Sequence, residues 1–327
     1  MKKIDFFIIK QSHSYYLLLL SFQSIVSTNR FDKSFQQIVM LQGIQRNAQN
    51  LATLQSATTV GTILLHSFET FPSLVHHSLK NINNRYWAEK LNNKPLSNEN
   101  VILCVHGRNG SHADFIPLID NIRKLHPSGE YLYDDYDKDN FVVIDRLDYY
   151  LRTVDLGPTA YTTIDDDVKT LSNHIDRMYE NCSITLVGVS KGGVVVMRYL
   201  TEMGDPTIKN VITISSPIRG TMAASLLDPE SSVAKNLGYA NPVVRQIEEK
   251  KKTARAKIYH VVPTWDQLIV PASSARYDDT PDSQIYHYDG RRYGHSGIAF
   301  CPEVARKVVE WAGIHTMNGP RVDDAQD

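Results

Sequence analysis

The chain has 327 residues, 42% hydrophobic and 22% charged, proportions that suit a globular protein with room for one large domain and an appendage. Thirty-five Lys and Arg against 36 Asp and Glu leave a formal charge of −1, which removes the electrostatic footing for nucleic-acid binding. Three cysteines cannot all pair within one chain. Cys104 and Cys182 lie in or beside apolar runs and read as buried thiols, a Cys182–Cys301 bridge stays open, and no Cys/His spacing marks a zinc site.

Residues 1–98 read as a helical N-terminal region. Lys2 and Lys3 precede an apolar run at 6–9, a polar break, and a second apolar run at 15–20. The interruption and the lack of a small-residue cleavage site weigh against an export signal. Neither run approaches the roughly 20 apolar residues of a spanning helix. Export, a helix packed on the body and a helix lying on a membrane surface all stay open. Further on, Phe31, Phe35, Ile38, Val39 and Leu41, then Leu51, Leu54 and Thr58, recur at helical spacing. The polar stretch 90–100 is the expected hinge.

From Val101 the pattern changes to short β-branched runs at 101–105, 141–144, 184–187, 211–214, 258–262 and 285–288, with helical stretches between. Near-continuous apolar strands alternating with helices predict a mostly parallel, doubly wound α/β sheet covered on both faces, over residues 99–316. Residues 303–313 read as a closing amphipathic helix, and 317–327 as a loose tail. The long connection 216–257 predicts extra helices over a site. Its run of Lys250, Lys251 and Lys252 reads as a solvated helix face. Asp165, Asp166 and Asp167 invite a metal reading, but Thr163 with Asp166 three residues later fits a helix cap better.

The segment 184–194 holds G-x-S-x-G as Gly188, Ser190 and Gly192, after an apolar run and before a helical one. A nucleophilic serine on a sharp strand-to-helix turn needs small neighbours on both sides, which glycine supplies. Serine is a weak nucleophile and needs a base that an acid orients, in the chain order serine, acid, histidine. Of twelve histidines, His295 is the candidate base, because it follows the last predicted strand between two glycines and precedes the closing helix. His315 falls beyond that helix. Asp266, just past the 258–262 strand, is the candidate acid. Asp278, Asp279, Asp282 and Asp289 read instead as surface acids of turns. The main-chain N–H groups of Lys191 and of Arg108, in His106-Gly107-Arg108-Asn109-Gly110, are the candidate oxyanion donors. His106 reads as an organiser of that loop.

In order, these segments resemble the α/β-hydrolase superfamily, and specifically its lipase-like branch, which includes small bacterial triacylglycerol lipases and GPI inositol-deacylase-like proteins. The resemblance rests on the His106-Gly107 loop, the elbow from Gly188 to Gly192, Ser215-Ser216-Pro217-Ile218-Arg219-Gly220-Thr221, the acid loop from Trp265 to Pro271, and Gly294-His295. It covers roughly residues 99–314 and implies hydrolysis of carboxylic esters, lipid or acyl esters among them, with no cofactor and no metal. A thioesterase, amidase or acyltransferase on the same residues stays open, as does a non-catalytic binding protein on that fold. Two departures stand out: Lys191 follows the nucleophile where the branch carries Met, Gln or His, and residues 1–98 have no counterpart. The side chains of Arg108, Asn109 and Arg219 are candidates to meet a polar or anionic headgroup, and the N-terminal region is a candidate for peripheral membrane contact. The cysteines lean towards a reducing compartment, whereas the branch is often exported. A cytoplasmic or peripheral-membrane location is the expectation.

Overall fold

The structure is a computed structural model. It describes residues 7–11, 14–18, 63, 95–125, 131–132, 142–144, 149–157, 159, 161–227, 232–239, 241–295 and 297–314. The apolar spacing between Phe31 and Thr58, the tail from 317 and His315 lie outside these residues. Near the N-terminus, β1 (Phe7–Gln11) and β2 (Ser14–Leu18) form an antiparallel pair, so the two apolar runs pair as strands rather than as the helix left open above. Aromatic and branched residues favour strands.

The main body begins with β3 (Leu96–Ser97), β4 (Asn100–Val105) and α1 (Ile116–Leu125). There follow β5 (Tyr131–Leu132), β6 (Val142–Ile144), β7 (Tyr149–Val154), α2 (Ile164–Met178), β8 (Tyr179–Glu180), β9 (Ser183–Val189) and α3 (Lys191–Met203). The last part runs through β10 (Ile208–Ile214), α4 (Met222–Leu227), α5 (Ser232–Leu237), α6 (Pro242–Lys250), β11 (Lys257–Pro263), β12 (Ile285–Tyr288) and α7 (Pro302–Trp311). Eight strands make one sheet in the order β12-β11-β10-β9-β4-β7-β6-β5. All neighbours from β12 to β7 are parallel; β6 and β5 add antiparallel at one edge. β3 pairs with β8 apart from it. The expected doubly wound sheet is present.

Two corrections concern that edge. The run at 141–144 supplies an antiparallel strand, whereas the parallel strand next to β4 is β7, which the apolar pattern does not mark. Its Arg152 interrupts the hydrophobic run, yet the side chain is buried, and desolvation pulls the guanidinium down to about 10.

Alternation along each strand divides the core between the two faces. Val101, Leu103 and Val105 of β4 pack with Leu171 and Ile175 of α2 and Val194 and Met197 of α3. Ile102 and Cys104 point the other way, onto Leu118 and Ile122 of α1 and Val304 and Val308 of α7. All three cysteines are free thiols and buried, so no Cys182–Cys301 bridge forms. The connection after β10 carries α4, α5 and α6, as its length predicts. Its lysine run is not a uniformly solvated face. Lys250 and Lys252 are exposed, but Lys251 is buried, with its ammonium on Asp279 and over the Tyr277 ring. The capping box of Thr163 and Asp166 closes the start of α2. Among the described residues there is no group of three or more His, Cys, Asp or Glu able to hold a metal, and no helix long and apolar enough to cross a membrane.

One core position couples the fold to pH. His260 in β11 is fully buried against Thr213, and desolvation pulls its imidazole down to about 3. The unfolded chain therefore takes up a proton near pH 6.5 that the native state refuses until about 3, so stability falls as pH falls through that window. Going from pH 7.5 to 5.0 should cost about 2 kcal/mol at this residue alone. Urea unfolding at the two pH values should show that difference shrinking by about the same amount in His260→Gln.

Candidate active site

The site lies at the carboxyl ends of β4, β9, β10 and β11, where an open parallel sheet leaves a crevice. Ser190 sits between β9 and α3 with φ 55° and ψ −124°, a conformation a non-glycine residue holds only under constraint from its surroundings. The surroundings are glycines. A Cβ on Gly188 would lie 2.5 Å from the Gly192 carbonyl oxygen and from the Gly193 Cα. One on Gly192 would meet the carbonyl oxygens of Val105 and His106. Strand, turn and helix close on each other only without those carbons. The oxyanion-loop candidate approaches as closely, since a Cβ on Gly107 would lie 2.9 Å from Ser190 Cβ.

The three sequence-predicted residues come together. Ser190 Oγ is 2.8 Å from His295 Nε2, and His295 Nδ1 is 3.0 Å from each oxygen of Asp266. A ring whose Nδ1 faces a carboxylate carries its proton there, which leaves Nε2 to accept from the serine hydroxyl. Asp266 is buried at the end of β11, and its Oδ1 accepts from the main-chain N–H of Leu268 at 2.8 Å and of Ile269 at 2.9 Å. Burial pushes this carboxyl up, but His295, the Ser215 hydroxyl and the Leu268 N–H outweigh it and hold the group below the usual carboxylate range. Its competitors lie elsewhere: Asp278 pairs with Arg219, Asp279 with Lys251, and Asp282 and Asp289 are exposed.

Two members of the site lie in segments that carry the resemblance but have no role assigned from the sequence. Ser215, at the end of β10, has φ 49°, donates its hydroxyl to Asp266 Oδ2 and lies 3.1 Å from His295 Nδ1. Gln267 accepts the main-chain N–H of His295 at 3.0 Å and so fixes the loop that carries this imidazole. The available signals were those segments and position, beside Asp266 in one case and at the end of a strand neighbouring β9 in the other.

The remaining predicted residues sort by contact. His106 Nε2 accepts from the Leu156 N–H at 2.9 Å, which puts the ring proton on Nδ1, 3.0 Å from the Gly107 carbonyl. Such a ring organises its loop. Asn109 takes φ 56°, which asparagine tolerates, at the loop's tip. Arg219 is drawn off by Asp278 at 2.8 Å and Glu248 at 3.5 Å and ties its loop to α6. Lys191 opens α3, but its ammonium is buried on Asp167 and on carbonyls of 159 and 162, so the cation is engaged there and not with the Ser190 hydroxyl.

No family model and no curated protein sequence matches the chain. Solved structures do resemble it. The product of gene lin2722 from Listeria innocua matches at TM-score 0.48 and 16% identity, over 68% of this chain and 96% of that one. A monoacylglycerol lipase from Paleococcus ferrophilus matches at 0.44 and 16%, over 68% and 96%. Naproxen esterase from Bacillus subtilis matches at 0.40 and 14%, over 67% and 85%. Likenesses at these identities and TM-scores carry no argument, and the fold follows instead from the parallel strand order and from a serine held on a glycine-lined turn between β9 and α3. The chain has an α/β-hydrolase fold.

Proposed function

We propose that the chain is a serine hydrolase that cleaves carboxylic esters, lipid or acyl esters among them, through an acyl-enzyme on Ser190. The observation that carries this reading is the continuous relay from Ser190 Oγ through His295 to Asp266, with its serine presented on the elbow. His295 Nε2 takes the serine proton as Oγ attacks the ester carbonyl, and the imidazolium that forms faces the Asp266 carboxylate. The main-chain N–H groups of Arg108 and Lys191 receive the oxyanion. The imidazolium then gives its proton to the leaving alcohol. In the second half, the same histidine activates water, which releases the acid and frees the serine. The scheme needs neither metal nor organic cofactor.

The test is covalent. A fluorophosphonate loses fluoride to an activated serine, and peptide mass spectrometry locates the phosphonyl group. The expected result is one adduct, on Ser190, together with hydrolysis of p-nitrophenyl esters. An adduct elsewhere, or none on folded protein with and without detergent, would overturn the reading. Comparing short with long acyl esters, and esters with thioesters, assigns the substrate class.

A further inference from the structure

Lys191 is the charged residue of the elbow, and the relay leaves its side chain unused. It is 1% exposed, and its ammonium meets the Thr159 carbonyl at 2.7 Å, the Thr162 carbonyl at 2.8 Å and Asp167 Oδ2 at 2.7 Å. An ammonium has three protons, and here the two carbonyls and the Thr162 hydroxyl, at 3.2 Å, accept them while Asp167 stands beside the cation as its counter-charge. Nothing is left for substrate, so any role in catalysis passes through what the cation holds.

It holds the chain segment beside the oxyanion loop. Thr159 is fully buried, and while its carbonyl accepts from Lys191, its hydroxyl donates to the Gly107 carbonyl at 2.8 Å. The same carbonyl oxygen accepts from His106 Nδ1 at 3.0 Å and from the Gly110 N–H at 3.2 Å. The carbonyl of Gly107 and the N–H of Arg108 belong to one peptide unit. That unit is planar, and its C=O and N–H point in opposite directions. Whatever aims the Gly107 oxygen therefore aims the Arg108 hydrogen.

We propose that Lys191 and Thr159 are positioning residues that set the direction of the Arg108 N–H as an oxyanion donor. Lys191 thereby governs both donors: its own main-chain N–H follows Ser190 directly, and its side chain fixes the other through Thr159. The proposal rests on the serine-hydrolase reading and adds to it the device that preorganises the hole. Preorganised donors act on charge that exists only in the transition state, so their loss appears in kcat more than in KM.

Thr159→Val tests it, because valine keeps the shape and the main-chain carbonyl and removes only the hydroxyl on Gly107. With p-nitrophenyl butyrate, kcat should fall about tenfold, with KM held within about twofold. Thr159→Ser restores the hydroxyl and should restore most of kcat. A trifluoromethyl ketone, which Ser190 converts to a tetrahedral alkoxide, should lose affinity by the same factor as kcat/KM. Active-site titration with the fluorophosphonate corrects every rate for the fraction of folded enzyme, and Thr159→Ala provides a second variant should valine not pack. Ser190 labelling in the wild type beside unchanged kcat and ketone affinity in Thr159→Val overturns this proposal alone. A wild type that does not label overturns the hydrolase reading and this one with it.

Discussion

Asp266→Asn is expected to lower kcat for ester hydrolysis by about 10⁴-fold while the protein stays folded, a loss approaching the about 10⁶-fold expected for Ser190→Ala. The reason is the tautomer. Oδ1 of Asp266 accepts two main-chain N–H groups, from Leu268 and Ile269, so an asparagine must keep its carbonyl oxygen on that side. Its NH₂ group then takes the place of Oδ2, beside Ser215 and His295 Nδ1. Facing a donor, the imidazole moves its proton to Nε2, the nitrogen that has to accept from Ser190. The measurement is kcat and KM for a p-nitrophenyl ester, with the unfolding midpoint as control. Activity within tenfold of wild type would show that Asp266 is not the acid of the relay.

Most of this geometry was legible because it obeys local rules. Apolar runs marked five of the six parallel strands, and the glycines around Ser190 announced a turn that no larger residue fits. Chain order and placement just past predicted strands separated His295 and Asp266 from many residues of their kinds. The misses share a cause. Strand β7 was hidden because Arg152 breaks the apolar run, and only burial beside Tyr150 and Tyr179 makes that arginine a core residue. Ser215 meets Asp266 across 51 positions and His295 across 80, distances over which neither composition nor period carries information. Lys251 read as solvated because its run is charged, yet its one buried ammonium is matched by Asp279, 28 residues on. Periodicity reports which face of an element is covered. It does not report which polar side chain finds a partner there.

The same limit applies to Lys191, whose partner Asp167 lies in another helix, and here the expected effect is on stability. Both side chains are 1% exposed and meet at 2.7 Å, so Asp167→Asn leaves an ammonium buried among carbonyls without its counter-charge. Breaking a buried pair from one side costs about 3–5 kcal/mol, whereas replacing both charges by groups of similar volume is often neutral. Urea unfolding near pH 7 should therefore show that loss in Asp167→Asn and most of it recovered in Asp167→Asn with Lys191→Met. The penalty also has a sign in pH. Burial pulls the Lys191 ammonium below its ordinary pKa and Asp167 opposes that pull, so removing Asp167 lowers it further. The unfolded state then binds more protons than the native one between the lowered value and the ordinary one. Stability rises with pH across that window, and the single variant should close part of its gap as the medium becomes alkaline. If the double variant is as unstable as the single one, packing rather than charge governs the cage. If it folds with near-wild-type stability and still turns over slowly, the lysine is retained for the direction of the oxyanion donors and not for the fold.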